Sequence, residues 1–278
     1  MTSHPLCIAS VPIDDHCIGD RWSSRDEAQL AALIALVAMG QASDAARILR
    51  ALLPAAPSFT NPDLQREAKV KLTVQDDDAT PRVGYPRAQR DGFIFEVISW
   101  IASRQTYGER ALLKDPHLSA TTQGIDGLML ELAEDKSKVT MTTVFEDKCT
   151  SRPRATFTET VIPVFREHHQ NTRSAEVVAA ASVLLRMAGI ADDGAARLSE
   201  AVMNRKARRY RASFALPAAA DSQMERAKLF KGFDVLDGIP PAQRVGASLI
   251  VSGELREWFA DLASRSIAYL DELGREEP

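Results

Sequence analysis

Glu146, Asp147 and Lys148 close an apolar run that begins at Val139, and Asp126 precedes Glu146 by twenty residues. On an extended strand alternate side chains share a face, so Glu146 and Lys148 project together while Asp147 points the other way. A carboxylate beside an ammonium is the pairing that phosphodiester hydrolysis needs. The carboxylate holds a divalent cation against a phosphate oxygen, and the ammonium orients the attacking water or offsets charge developing on the phosphate. A second triplet of the same form, Glu134-Asp135-Lys136, lies in a polar segment that reads as a turn, where no sheet holds it.

The elements that must position these groups follow from the pattern around them. Residues 124–132 and 138–150 read as the strands of a β-hairpin joined by the polar segment 133–137. A turn centred near Asp135 places Asp126 opposite Val144 and diagonally beside Glu146, on one face. A slip of one residue would send Asp126 to the other face. Upstream, residues 90–105 are apolar nearly all the way round a helix, which predicts burial. Glu96 stands among Phe93, Ile94, Phe95, Val97, Ile98 and Trp100, and shares a polar stripe with Ser99 and Ser103. A carboxylate there needs a cation or hydrogen-bond donors, supplied either by an arginine in a salt bridge or by a metal site in or beside which it stands.

Other segments complete an α/β reading. Ser23-Ser24-Arg25-Asp26-Glu27 looks like a helix start, and a second helix runs from Ser43 to Leu53. Prolines 54, 57, 62, 81 and 86 then mark a loop-rich stretch in which residues 69–74 alternate like a short strand. Helices are predicted over 156–169, 174–187, 192–206 and 253–273, and strands over 210–216 and 245–251. The alternation predicts a mixed sheet flanked by helices. The expected organisation is an amino-terminal helical segment over 1–60, a connection over 61–87 and a main domain over 88–278.

Composition narrows the class. With 45% apolar and 26% charged residues the chain is an ordinary globular protein, and residues 29–39 are too short to span a membrane. The amino terminus has no basic stretch ahead of an apolar core, and three cysteines leave an odd count, so a cytoplasmic protein is expected. His4, Cys7, His16 and Cys17 lack the spacing of familiar zinc sites and read as free groups on a loose terminus. A net charge of −4 excludes a protein coated for indiscriminate nucleic-acid binding. Local basic groups remain: Arg152 and Arg154 follow the triplet, and Arg205, Lys206, Arg208 and Arg209 cluster further on, as phosphate contacts or as a solvated helix end. His168 and His169 read as surface groups at a helix end. Motifs for ATPase, dinucleotide, zinc-protease and serine-hydrolase chemistry do not occur.

The helix bearing Glu96, the strand GIDGLML bearing Asp126 and the strand VTMTTVFEDKCT bearing Glu146 and Lys148, followed by helices, resemble the PD-(D/E)xK, restriction-endonuclease-like nuclease superfamily over residues 88–216. Ile125 stands where that family often has proline. The resemblance implies a restriction-endonuclease-like core and hydrolysis of DNA dependent on Mg²⁺ or Mn²⁺. Asp126, Glu146 and the main-chain carbonyl of Asp147 would ligate one ion, Glu96 a second ion or its water, and Lys148 would orient the nucleophile. It also implies a setting in restriction or anti-phage defence beside a helicase or ATPase subunit, and is compatible with a homodimer. The alternative is a non-catalytic DNA-binding or assembly subunit that keeps the nuclease fold for shape.

Overall fold

The computed structural model describes residues 3–118 and 124–275. Seven strands form one mixed sheet: β1 (Leu6–Pro12), β2 (Ile18–Ser24), β3 (Ala111–Leu113), β4 (Gly127–Leu132), β5 (Val139–Lys148), β6 (Arg208–Pro217) and β7 (Arg244–Val251). Their spatial order is β1-β2-β7-β6-β5-β4-β3. The centre, β5-β6-β7 with β2, is parallel, while the flanking β1/β2, β4/β5 and β3/β4 pairs are antiparallel. Every residue of β7 is buried, as a strand covered on both faces requires.

The α/β mixed sheet is as the pattern predicts, but the amino-terminal segment is not simply helical. Residues 6–24 form a hairpin that extends the sheet through β2 and β7, and Trp22 is 1% exposed. This stretch is expected to be loose because it lies at the terminus. Its apolar side chains gain their partners from distant β7, which no local pattern reports. Ser23 and Ser24 end β2, and Asp26 alone caps α1 (Glu27–Ala38), its side chain accepting the Gln29 N–H.

The connection over 61–87 also differs. Residues 62–72 form helix α3 (Pro62–Leu72), not a loop leading into a strand. Asn61 accepts from Asp63 and Leu64 and Pro62 takes the first turn, so the start signal was present but masked by the alternation after Lys69. With α2 (Ala42–Ala51), α4 (Arg87–Tyr107) and α10 (Leu255–Leu273), α1 and α3 cover one face of the sheet around Phe95, Ile98, Leu249 and Phe259. The opposite face is covered by the turn of helix Pro153–Thr156, here α5, with α6 (Ile162–His169), α7 (Ser174–Met187), α8 (Asp192–Ala201) and α9 (Gln223–Phe230), around Phe157, Phe165, Phe214 and Phe230. Between α5 and α6 the helix widens into a π turn at Phe157–Val161, just ahead of Pro163, which has no N–H to donate. Helix α1 packs on both α4 and α10, so the first helices and the main domain share one core. Among the described residues no helix is long and apolar enough to cross a membrane.

The hairpin holding Asp126 and the triplet has a register two residues from the expected one. Gly127 faces Phe145 and Leu128 faces Val144, after an irregularity at Glu131 and Leu132. An even displacement preserves the face of each side chain, so the predicted convergence survives the shift. The turn itself lies where the polar segment put it, closed by Ala133 N–H to Lys138 O, and Glu134-Asp135-Lys136 lies within it.

Gly127 marks the last paired residue before Asp126. A Cβ there would meet Phe145 Cδ2 at 2.4 Å, so the ring packs against bare backbone. Gly127→Ala is expected to lower the free energy of unfolding by about 1–3 kcal/mol, read from the midpoint in urea. A neutral effect would show that Phe145 repacks freely.

Candidate active site

Antiparallel pairing of β4 with β5 stops at Gly127 and Phe145, leaving the last three residues of β5 without a strand on that side. Asp126 fills the vacancy with its side chain, accepting the Asp147 N–H on Oδ2 at 2.9 Å. In an extended strand a residue's N–H and C=O point to the same edge, so the Asp147 carbonyl also faces Asp126 rather than β6. Lys148 Nζ lies 2.7 Å from Asp126 Oδ2 and 2.7 Å from Glu146 Oε2. Two carboxylates therefore approach one ammonium at the point where β4 and β5 part.

Burial sets the charge state of this group. Glu146 is 5% exposed, and burial pushes its carboxyl up to about 7 although Lys148 pulls the other way. Burial alone lowers the Lys148 pKa, but Glu146 and Asp126 outweigh it and raise the pKa above the ordinary lysine value, holding the ammonium charged. As the alternation predicts, Asp147 turns to the other face, where burial raises its carboxyl to about 6 against the pull of Arg211. Arg211 Nη2 lies 4.0 Å from Asp147 Oδ1, an oxygen with no hydrogen-bond partner. The guanidinium stacks 3.7 Å from the centroid of Phe145 and donates to Ser99 and Ser103. The polar stripe of α4 thus serves Arg211.

Glu96, the third member of that stripe, belongs to neither reading alone. No arginine meets it. Its carboxylate accepts the His117 N–H at 2.8 Å and faces the His117 ring at 3.0 Å, and it lines a narrow cleft with Asp126, Asp147, Lys114 and Trp100. Lys114 Nζ reaches the His117 ring at 3.2 Å and the Ile125 carbonyl at 3.2 Å, tying the residue before Asp126 to the Glu96 side. Burial lowers the Lys114 pKa, and Glu96 and Asp126 counter it. Lys114, His117 and the buried role of Arg211 had no signal in sequence. Lys114 and His117 sit in an irregular polar stretch, and Arg211 was one of a run of arginines.

The basic residues divide by position. Arg152 is exposed four residues beyond Lys148. Arg154 is exposed but gives its guanidinium to the Leu229 and Lys231 carbonyls. Arg208, expected at phosphate, is 1% exposed and donates to the His168 and Val202 carbonyls, while Arg209 pairs with Glu131 at 2.7 Å. Arg208 is buried and Arg209 half-buried on the opposite face of β6, where a helix-end reading had put both outside. Arg205 and Lys206 are exposed, but at the start of β6. Arg208 faces Thr142 and Phe214 faces Lys148, so they stand roughly 20 Å from the ammonium. His168 and His169 are likewise internal, at 1% and 7% exposure. His169 bonds Tyr210 and the Asp237 carbonyl, and burial pushes His168 down to about 4.

The donors fit a hard divalent cation. Asp126 and Glu146 offer carboxylate oxygens and the Asp147 carbonyl faces the same edge, while the Asp147 carboxylate lies on the other face beside Arg211. Among the described residues no three His, Cys, Asp or Glu side chains are grouped closely enough to hold an ion, and Lys148 stands between the two carboxylates. The chain matches no known protein family and no curated protein sequence.

The raised carboxyls make stability depend on pH. An acid whose pKa is higher folded than unfolded favours the fold below its unfolded pKa, and that contribution fades as pH rises through the folded value. With chelator present, the unfolding free energy is expected to fall between pH 4 and 7, by on the order of 2–3 kcal/mol from each of the two carboxyls. Asp147→Asn should flatten the lower part of this window and Glu146→Gln the upper part in urea titrations. A profile unchanged by either substitution would contradict the assignment.

Proposed function

We propose that this protein is a divalent-metal-dependent nuclease of the PD-(D/E)xK, restriction-endonuclease-like kind, hydrolysing DNA phosphodiester bonds. One observation carries the reading: a single ammonium, Lys148, lies 2.7 Å from two carboxylates, Glu146 on β5 and Asp126 just before β4, at the point where those strands separate. A structural ion pair has no need of that opening, whereas a phosphate must reach the charges from outside.

Asp126 and Glu146 would hold Mg²⁺ or Mn²⁺, with the Asp147 carbonyl at the same edge. Bound there, the ion supplies Lewis-acid polarisation of a phosphate oxygen and lowers the pKa of the attacking water. Lys148 keeps its proton beside two carboxylates and is placed to donate toward phosphate or water, offsetting negative charge as it builds. Glu96, fixed by His117, lines a narrow cleft with Asp126 and Asp147, where it would orient a water on the Asp126 side. Arg211 keeps Asp147 on the far face and so fixes the direction in which Glu146 and Lys148 project. Arg152 is the exposed cation nearest in sequence for the substrate backbone. Restriction or anti-phage defence is the setting this reading suggests, with any energy-dependent step left to a helicase or ATPase partner.

A second reading has its own support. Lys148 already neutralises the two acids, and a non-catalytic DNA-binding or assembly subunit could keep the pair as a structural bridge. Titration calorimetry with Mn²⁺ and incubation with plasmid, linear and single-stranded DNA separate the two. The wild type should bind Mn²⁺ and cleave. Glu146→Ala should lose Mn²⁺ binding, and both it and Lys148→Ala should cut about 100-fold more slowly or worse while remaining folded. Undiminished cleavage by Glu146→Ala would sink the nuclease assignment, and neither binding nor cleavage in the wild type would favour the subunit.

A further inference from the structure

Lys148 Nζ stands 2.7 Å from Asp126 Oδ2 and 2.7 Å from Glu146 Oε2, so those oxygens lie no more than twice that distance apart with a positive charge between them. A divalent ion held by the same two carboxylates takes its oxygens at about 2.0–2.6 Å and must sit in nearly the same place. The cleft on the other side of Asp126 offers no alternative. It measures about 10 Å³, hardly the room of one water, and Glu146 does not line it. An ammonium and a divalent ion cannot share one seat, since both volume and like charge forbid it.

We propose that Lys148 is an exchangeable occupant of the metal site, closing it while no ion is bound and swinging out when one enters. The inference rests on the nuclease reading and adds a regulation to that site. Among the described residues the polar partners of Lys148 are the two carboxylates alone, so nothing else anchors it. Its side chain is 24% exposed at the point where β4 and β5 part, which gives it a way out to solvent. The ammonium is a compact charge on a flexible stem that regains rotamer freedom on release. Arg211, on the far face, is the contrast. It stacks on Phe145, donates to Ser99 and Ser103, and is 5% exposed. In the metal-free protein Lys148 offsets two acids that would otherwise repel each other. With an ion seated, the same ammonium is free to meet a phosphate or a water, so metal binding must precede productive use of the lysine.

Titration calorimetry of the full chain with Mn²⁺, in mildly alkaline buffer, compares the wild type with Lys148→Met, which keeps a stem and removes the charge. Lys148→Met should bind Mn²⁺ about ten-fold or more tightly, the reverse of what loss of a supporting residue gives. A second measurement needs no variant. The wild type is acylated briefly with an N-hydroxysuccinimide ester, in chelator or in Mn²⁺, and its peptides are read by mass spectrometry. Mn²⁺ should raise modification of Lys148 several-fold and leave that of exposed Lys138 unchanged. Mn²⁺ binding by the wild type without a rise at Lys148 would overturn the proposal, as would equal or weaker binding by a folded Lys148→Met. Absence of Mn²⁺ binding in both proteins would overturn the metal site itself, and with it the nuclease reading.

Discussion

The site depends on one substitution of bonding partner: a carboxylate takes the place of a strand. Where β4 leaves β5, the Asp147 N–H would be an unsatisfied donor in a mostly buried setting, at a cost comparable to a lost hydrogen bond. Asp126 removes that cost, and in doing so brings a negative charge beside Glu146. Two carboxylates in this environment are tolerated only with a cation between them, which Lys148 provides. The acid-x-lysine spacing follows from this: residues two apart on a strand share a face, and the intervening residue must be accommodated on the other.

That other face shows what the arrangement demands. Asp147 enters a polar layer between α4 and the sheet, where Arg211, Ser99 and Ser103 are buried together. Arg211 is flanked by Phe145 and Trp22, so the amino-terminal hairpin contributes to the environment of a residue beside the site. The two faces of β5 are therefore coupled through its backbone, with a charged pair on each.

The central architecture was legible because its periods were clean. Residues 90–105 gave α4, and the runs ending at Lys148, Leu216 and Val251 gave three buried strands. Asp126, Glu146 and Lys148 were brought together as the hairpin argument required, even with an altered register. What escaped had partners far away in sequence. The first hairpin pairs with a strand more than two hundred residues later, and β3 has only three residues. The side of an arginine is equally hidden: Arg205, Lys206, Arg208 and Arg209 are alike by composition, and only the start of β6 divides the exposed pair from buried Arg208 and half-buried Arg209. Glu96 was singled out as an acid needing a donor; it is half-buried, and its partner, His117, lies on an irregular segment whose fold no pattern encodes.

The strand order also bears on how the molecule is assembled. β7 is the last strand made, yet it lies between β2 and β6, parallel to both. Helices and strands from α4 to β6 can come together early, since their neighbours are close in sequence, whereas the first hairpin has no sheet to join until β7 arrives. Until then β2 lacks the parallel partner that joins it to the sheet, and its edge stays open. Closing the sheet is then a late step that joins the beginning of the chain to its end.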